Sequence, residues 1–372
     1  ITPTSENGCV GTPFKINVSI TSEPVVSNQT ITVCSDENLN QVFNASTSVA
    51  ADTYNVTNLE TNGLSISAGN PAVANGLLAN DLEDDAFTNL TNAPVDVIYT
   101  VVPVSGSNCE GDPFTVTVTV NPEPVVTNQT TSVCSDEILG STLGNDPDGP
   151  AVVSYNLTNI TSNGLTAASG NTTVQNGLPS DTISNDSWNN ITGTAQDVVY
   201  TFIPVGNNGC LGDPFTVTVT VNPEPVVANQ TTSVCSDEIL GFTLENDPDG
   251  PNVTSYNLTN IVDNGLIPAS GNIVIQNGFL SDAISNDSWN NITSAALDVI
   301  YTFVPVGDNG CLGDDFTVTV TVNPEPVVTN QTITVCSDEN LNQAFNASTS
   351  VAADTYNVTN LQTNGLSISA GN

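Results

Sequence analysis

The chain has 372 residues and carries a single basic residue, Lys15, against 39 acidic residues, for a formal net charge of −38 at pH 7. Such a surface repels nucleic acid and anionic membranes, because both are bound through lysine and arginine. The sequence contains no histidine, which excludes catalysis by a Ser-His or Cys-His pair, and we expect no enzyme. Since 38% of residues are hydrophobic and 11% are charged, the composition predicts a folded chain and not a disordered acidic tail.

One stretch recurs along the chain every 100 or 101 residues. Its clearest copy, CLGDPFTVTVTVNPEPVVANQTTSVCSDE at 210–238, joins a glycine-rich cysteine turn, an alternating strand, a Pro-x-Pro joint and a second cysteine. The chain is therefore a tandem array. Because both of its ends fall inside repeats, we expect a segment of a longer protein. The predicted units are the tail of a divergent repeat (1–22), a first repeat (23–122), a second repeat (123–223), a third repeat (224–324) and a truncated fourth repeat (325–372).

The strands within a repeat are predicted from apolar alternation and from Val, Thr, Tyr and Phe content. In their order within a repeat they are TTSVC (231–235), TSYNLTNI (254–261), GNIVIQNG (271–278), short segments near SDAISND and WNNIT, and the hairpin of DVVYTFIPV (197–205) with FTVTVTV (215–221). Trp188, Trp289 and Phe87 are predicted to lie in the core. About seven short strands in about 100 residues, with frequent turns and no helical period, predict an all-β chain of Ig-like antiparallel β-sandwiches.

The joint NPEPVV recurs at 121–126, 222–227 and 323–328. Proline fixes its own φ and restricts the preceding residue, so Pro-x-Pro forms a stiff and extended connection. Because the joint is only a few residues long, neighbouring domains must touch or nearly touch. The sequence therefore predicts domains arranged end to end as a rod.

Acidic turns are the best candidates for a ligand site. The second and third repeats contain NDPDGP, in which Asp146 and Asp148, and likewise Asp247 and Asp249, offer oxygen ligands for calcium. The alternative is a solvated turn built from turn-forming residues. The Ser-Asp-Glu that follows each second cysteine lies near a domain end and could contribute to a site at the junction between domains.

Eight cysteines at regular spacing, with no histidine, predict disulfides in preference to zinc, and hence an extracellular location. Three pairing schemes are compatible with the repeat: within one repeat, across a joint such as Cys109 with Cys134, or between neighbouring repeats such as Cys34 with Cys210. If the first strand runs the full length of a domain, its end lies opposite the final hairpin. That separation would exceed the roughly 7 Å between Cα atoms that a disulfide tolerates and would oppose the first scheme.

The pattern VYTxxPxxxxGCxGDxFTVTVTVNPEPVV, followed by VCSDE, resembles the PKD-like and Ig-like repeats of very large Bacteroidota cell-surface proteins. That class includes the SprB-like adhesins of gliding motility, exported by type IX secretion. The resemblance implies tandem PKD-like domains and pairing of the early and late cysteines within one repeat. The pairs so implied are Cys34–Cys109, Cys134–Cys210 and Cys235–Cys311, with Cys9 and Cys336 left for partners outside the chain.

The resemblance also implies a surface-exposed function. The leading hypothesis is a structural stalk or filament region that extends the adhesive part of a large secreted adhesin from a cell surface. The first alternative is a self-assembling extracellular filament subunit, and the second is a set of repeats that themselves bind glycans or surfaces. Neighbouring repeats of the same chain are the expected partners, and other copies of the chain are the partners that a filament would add. Neither nucleic acid nor membrane insertion is expected.

Overall fold

The computed structural model describes residues 1–69, 71–145, 150–246 and 250–368. These residues form 21 strands. They contain no helix that is long and apolar enough to cross a membrane. Seven strands lie in each complete repeat, as the spacing of turns along the sequence predicts.

The strands follow the same order in all three complete repeats. The first repeat contains β1 (Gln29–Cys34), β2 (Thr53–Glu60), β3 (Ser65–Ala68), β4 (Ala74–Leu77), β5 (Ala86–Thr88), β6 (Val95–Val104) and β7 (Phe114–Asn121). The second contains β8 (Gln129–Cys134), β9 (Val152–Thr161), β10 (Thr166–Ala167), β11 (Gln175–Leu178), β12 (Trp188–Asn189), β13 (Gln196–Gly206) and β14 (Phe215–Asn222). The third contains β15 (Gln230–Cys235), β16 (Val253–Val262), β17 (Ile267–Pro268), β18 (Gln276–Phe279), β19 (Trp289–Asn290), β20 (Leu297–Gly307) and β21 (Phe316–Asn323).

Each repeat is a pair of sheets, one large and one small. The first repeat has a five-stranded sheet in the order β1-β7-β6-β2-β4 and a two-stranded sheet of β3 and β5. The second and third repeats have the corresponding sheets. Neighbouring strands are antiparallel, except that the first and last strands of a repeat pair in parallel. The predicted all-β fold of tandem Ig-like domains is confirmed.

The final hairpin provides much of the buried surface. In β14 every second residue, Phe215, Val217, Val219 and Val221, is buried, because alternate residues of a strand point to the same face. Strand β13 pairs antiparallel with β14, as the alternating sequence predicts.

The predicted strand over 271–278 is shorter in the structure, where β18 begins at Gln276. Before it, Gly271 has a φ of 109°, which is turn geometry. The backbone N–H of Ile273 donates to the carboxylate of Asp287 at 2.9 Å. The first half of this segment is therefore bound to a side chain and not to a neighbouring strand.

The large aromatic residues lie in the core, as predicted. Trp188 and Trp289 are 5% and 3% exposed, and Phe87 takes the same place in the first repeat at 1%. The ring of Trp188 meets that of Tyr200 edge to face at a centroid distance of 6.3 Å. Such edge-to-face contact stabilises the core in addition to the stabilisation that burial of the rings provides.

Residues 325–368 repeat the sequence of the first half of a repeat but form no strand. In the complete repeats, the first strand pairs with the last one. No counterpart of that last strand exists within 325–368. The apolar side chains of this segment, such as Phe345 and Leu361, are consequently exposed.

Candidate functional site

The junctions between neighbouring repeats bring together most of the residues that the sequence singles out. At the first junction, Cys34 at the end of β1 forms a disulfide with Cys210, which lies in the loop between β13 and β14. At the second, Cys134 at the end of β8 is bonded to Cys311 in the equivalent loop of the third repeat. Both bonds have a Cα–Cα distance of 5.6 Å. The cysteine that ends the first strand of one repeat is thus joined to the cysteine in the loop of the final hairpin of the next repeat.

This arrangement shows that pairing within a repeat, Cys34–Cys109, Cys134–Cys210 and Cys235–Cys311, is wrong. The parallel register places Cys134 opposite Asn222, at the end of β14. Cys210 precedes β14 at its other end, and eight residues of strand separate the two positions. That strand spans about 26 Å at 3.3 Å per residue, far beyond the roughly 7 Å that a disulfide tolerates between Cα atoms. Pairing between neighbours is the scheme that the structure contains.

Four cysteines are free: Cys9, Cys109, Cys235 and Cys336. The free Cys109 is half-buried, and the hydroxyl of Thr21 lies 2.9 Å from its Sγ. Thr21 corresponds to Asn121, the residue that lies opposite Cys34 in the parallel ladder. The free thiol of Cys109 therefore faces the tail of the preceding repeat. The prediction that Cys9 and Cys336 have partners outside the chain stays a prediction.

The joint is held against the following repeat by specific contacts. Pro122 and Pro124 are buried, and the side-chain amide of Asn208 donates to the carbonyl of Pro122 at 3.3 Å. Asn208 also accepts a hydrogen bond from the backbone N–H of Cys210 at 3.1 Å, and Cys210 is 1% exposed. Neighbouring repeats are consequently linked by a peptide joint, a hydrogen bond and a disulfide.

Acidic side chains surround each joint. Burial, followed by the negative charges of Asp136, Asp314 and Glu137, raises the pKa of Glu224 to about 7. Glu224 and Asp136 line a cleft of about 300 Å³ between the second and third repeats. At the first junction the pKa of Glu123 is likewise raised to about 7, first by burial and then by the charges of acidic neighbours. Both junctions between complete repeats therefore concentrate negative charge around one glutamate carboxyl whose pKa is raised.

The Ser-Asp-Glu that follows each second cysteine has a structural role that the sequence does not reveal. Ser135 is buried, and its hydroxyl accepts the backbone N–H of Asn190 at 2.9 Å. Asp136 adopts a φ of 59° and accepts the side-chain amide of Asn189 at 2.6 Å. These bonds fasten the end of β8 to the region of β12. Asp136 also borders the junction cleft, so the predicted place of this motif at a domain end is correct.

The predicted calcium ligands, Asp146, Asp148, Asp247 and Asp249, lie outside the described residues. Among the described residues, no group of three or more His, Cys, Asp or Glu side chains is arranged to hold a metal ion. The calcium hypothesis stays a prediction.

A buried hydrogen-bond chain in the second and third repeats was not apparent from the sequence. Tyr200 donates to Asp186 at 2.8 Å, and Trp188 Nε1 donates to the Tyr200 hydroxyl at 2.7 Å. The third repeat repeats this chain through Tyr301, Asp287 and Trp289. Asp186 is 1% exposed, and its carboxylate accepts hydrogen bonds from Tyr200 and Thr172, in keeping with the rule that buried polar groups are hydrogen-bonded. We assign the chain to the stability of the core, because Asp186, Trp188 and Tyr200 are all buried.

Each of the three complete repeats is similar to a known family of domains. The family described as the PKD-like domain matches residues 29–124, 131–225 and 232–326. No curated protein matches the sequence. Among solved structures, Drosophila N-cadherin EC1-4 is 13% identical, with 82% of this chain and 76% of that one covered and a TM-score of 0.21. Chicken CNTN1 FN1-FN3 domains are 9% identical, with 81% and 100% covered and a TM-score of 0.27.

Proposed function

This chain belongs to the PKD-like domain family, which its three complete repeats represent in tandem, and from that premise we propose that it is the structural stalk or filament region of a large secreted cell-surface adhesin. Its task is to hold an adhesive part of the protein at a distance from the cell. The observation that carries the proposal is the disulfide between successive repeats. A cross-link at each of the two junctions between complete repeats has little use in a catalytic domain but strengthens an array that must keep its length.

Further properties of the chain support a position outside the cell. Disulfides persist in oxidising compartments, which indicates an extracellular protein. The net charge of −38 favours solubility of the protein outside the cell, because like-charged chains repel one another. The motif resemblance to the SprB-like class supports export by type IX secretion and a place among the adhesins of gliding cells. No catalytic role is proposed.

Immunogold electron microscopy of intact producing cells tests the proposal. Antibodies raised against residues 123–223 should label the outer surface without permeabilisation, and brief protease treatment of intact cells should remove the label. Labelling confined to permeabilised cells would overturn it.

The shape of the array can be measured on the chain itself. Strands of eleven residues are about 36 Å long at 3.3 Å per residue. Three such repeats end to end give a maximum dimension above about 100 Å by small-angle scattering, on the same strand length. A compact particle would contradict the stalk.

A further inference from the structure

The two disulfides interlock along the sequence. Cys134 lies inside the loop that Cys34 and Cys210 close, and Cys210 lies inside the loop that Cys134 and Cys311 close. Three stretches of backbone, 34–134, 134–210 and 210–311, therefore join the same two cross-links. Tension applied to the two ends of the chain reaches all three stretches together.

In the second repeat, the first and last strands are each attached to both neighbouring repeats. Strand β8 follows the joint from the first repeat, and Cys134 at its far end is bonded to Cys311 in the third repeat. Strand β14 follows the loop of Cys210, which is bonded to Cys34 in the first repeat, and it continues into the joint with the third. The two strands lie side by side in parallel.

We propose that these two strands act as covalent threads that carry tension past the second repeat, so that this repeat does not lengthen while its neighbours stay folded. The biological purpose of the threads rests on the proposed stalk function, but their mechanical behaviour does not. By the same pattern, every repeat that carries a disulfide to each of its neighbours is protected in this way.

The threads have almost no slack. From Pro122 to Cys134 the chain comprises about 13 residues, which reach at most about 45 Å when fully extended. The longest strand of the repeat, β13 with its eleven residues, is already about 36 Å long. Loss of the core of the second repeat would therefore add only about 10 Å to the distance between its neighbours, on the same chain dimensions.

A limit also applies when every repeat unfolds. The shortest stretch between the two disulfides, 134–210, is about 76 residues and spans at most about 260 Å. With both disulfides reduced, the stretch from Cys34 to Cys311 is about 277 residues and spans about 940 Å. The disulfides thus limit the maximum extension of the unfolded array, in addition to stabilising the folded repeats.

Optical-tweezers stretching of the full chain, attached through peptide tags at both termini, tests the inference. The covalent path between the ends of the oxidised chain is about 170 residues, so complete unfolding should give a contour length of about 580 Å. Adding a reductant after the chain is mounted should raise it to about 1,260 Å, roughly a twofold increase. A Cys109→Ser/Cys235→Ser variant is the matched control, because it removes two of the four free thiols but keeps both disulfides. Its contour length should equal that of the unmodified chain before and after reduction.

A Cys34→Ser/Cys134→Ser variant should reach the longer contour without reductant. If that variant does not fold, the unmodified chain before and after reduction still decides the question. An oxidised chain that already reaches about 1,260 Å, the full extension of its residues, would overturn the inference. That result would leave the stalk proposal intact, whereas failed surface labelling would remove the proposed purpose and leave the measured contour unchanged.

Discussion

The carbonyl oxygen of Pro124 lies so close to Gly212 that a Cβ on this glycine would be 1.9 Å from it. Gly313 has the same relationship to Pro225, and Gly111 has it to Pro24. None of these three glycines has a positive φ, so glycine is required here for space and not for backbone conformation. The close approach fixes the joint against the loop that carries the bonded cysteine.

Substitution of Gly212 by alanine should therefore destabilise the second repeat. Overpacking of a closely packed site costs on the order of 1–3 kcal/mol, which chemical denaturation would detect as a lower midpoint. Gly144→Ala is a matched control in the same repeat, since its Cβ would meet only ordinary contacts at 3.4 Å and beyond. Equal effects of the two substitutions would show that the Pro124 contact is not constraining.

The raised pKa of Glu224 predicts a stability that depends on pH. The folded protein holds the proton up to about pH 7, whereas the unfolded chain releases it near its ordinary value of 4.5. Its stabilising contribution is therefore present below pH 4.5 and is lost as the pH rises through about 7. Glu224→Gln should raise the melting temperature at pH 8 and have no effect at pH 4.

Glu60→Gln is the control for that experiment, because Glu60 is exposed and the fourth repeat already carries Gln362 in its place. It removes the same charge at a site away from the joint. A gain from Glu224→Gln that persists unchanged at pH 4 would argue against titration of this carboxyl as the cause.

Mass spectrometry of the unreduced, digested chain should recover the peptide pairs of Cys34 with Cys210 and of Cys134 with Cys311. Alkylation before digestion should label Cys109 and Cys235, which are free. In the chain-entropy model, a loop of this length contributes about 5 kcal/mol, so Cys34→Ser should lower the denaturation midpoint of the oxidised array. Recovery of a Cys34–Cys109 peptide would contradict the observed pairing.

The hydrogen-bond chain in the core predicts unequal effects in two repeats. Tyr200→Phe would remove the partner of both Trp188 and Asp186, and unsatisfied buried groups cost about 1–3 kcal/mol each. Tyr99→Phe, where Phe87 stands in place of tryptophan, removes a single hydrogen bond to Asp85. The loss of stability, measured by denaturation, should be greater for Tyr200→Phe, and an equal loss would argue against a contribution from the Trp188 hydrogen bond.

The calcium hypothesis can be tested at the loop of the third repeat. Calcium should raise the melting temperature, because it neutralises charge and finds oxygen ligands in NDPDGP. Asp247→Ala/Asp249→Ala should reduce that gain, whereas the exposed Glu60→Gln should not. No gain with calcium, or a gain that the double substitution leaves unchanged, would exclude this loop as the site.

The sequence alone predicts the parts of this molecule that depend on local periodicity. The alternation of FTVTVTV predicts strand β14, and the large apolar ring of Trp188 predicts that this residue is buried. The identity of the bonded cysteines depends instead on where strands end in space. Because β8 runs parallel to β14 up to Asn222, the two cysteines of one repeat lie at opposite ends of it. The raised pKa of Glu224 likewise depends on burial and on charges brought from distant parts of the chain, and no short motif encodes it.

The spacing of the bonded cysteines has a consequence for how the chain is made. Cys34 is separated from Cys210 by 176 residues, and Cys109 and Cys134 lie between them along the chain. Because loop closure is less costly for a shorter loop, oxidation before folding would favour the wrong pairs of Cys34 with Cys109 or Cys134. Once β1 and β7 have paired, Cys34 is held at the opposite end of the repeat from Cys109. The fold therefore sets the order of maturation. Each repeat must fold before its cysteines are oxidised, and the disulfide of its first strand can form only when the next repeat is present to supply the partner cysteine.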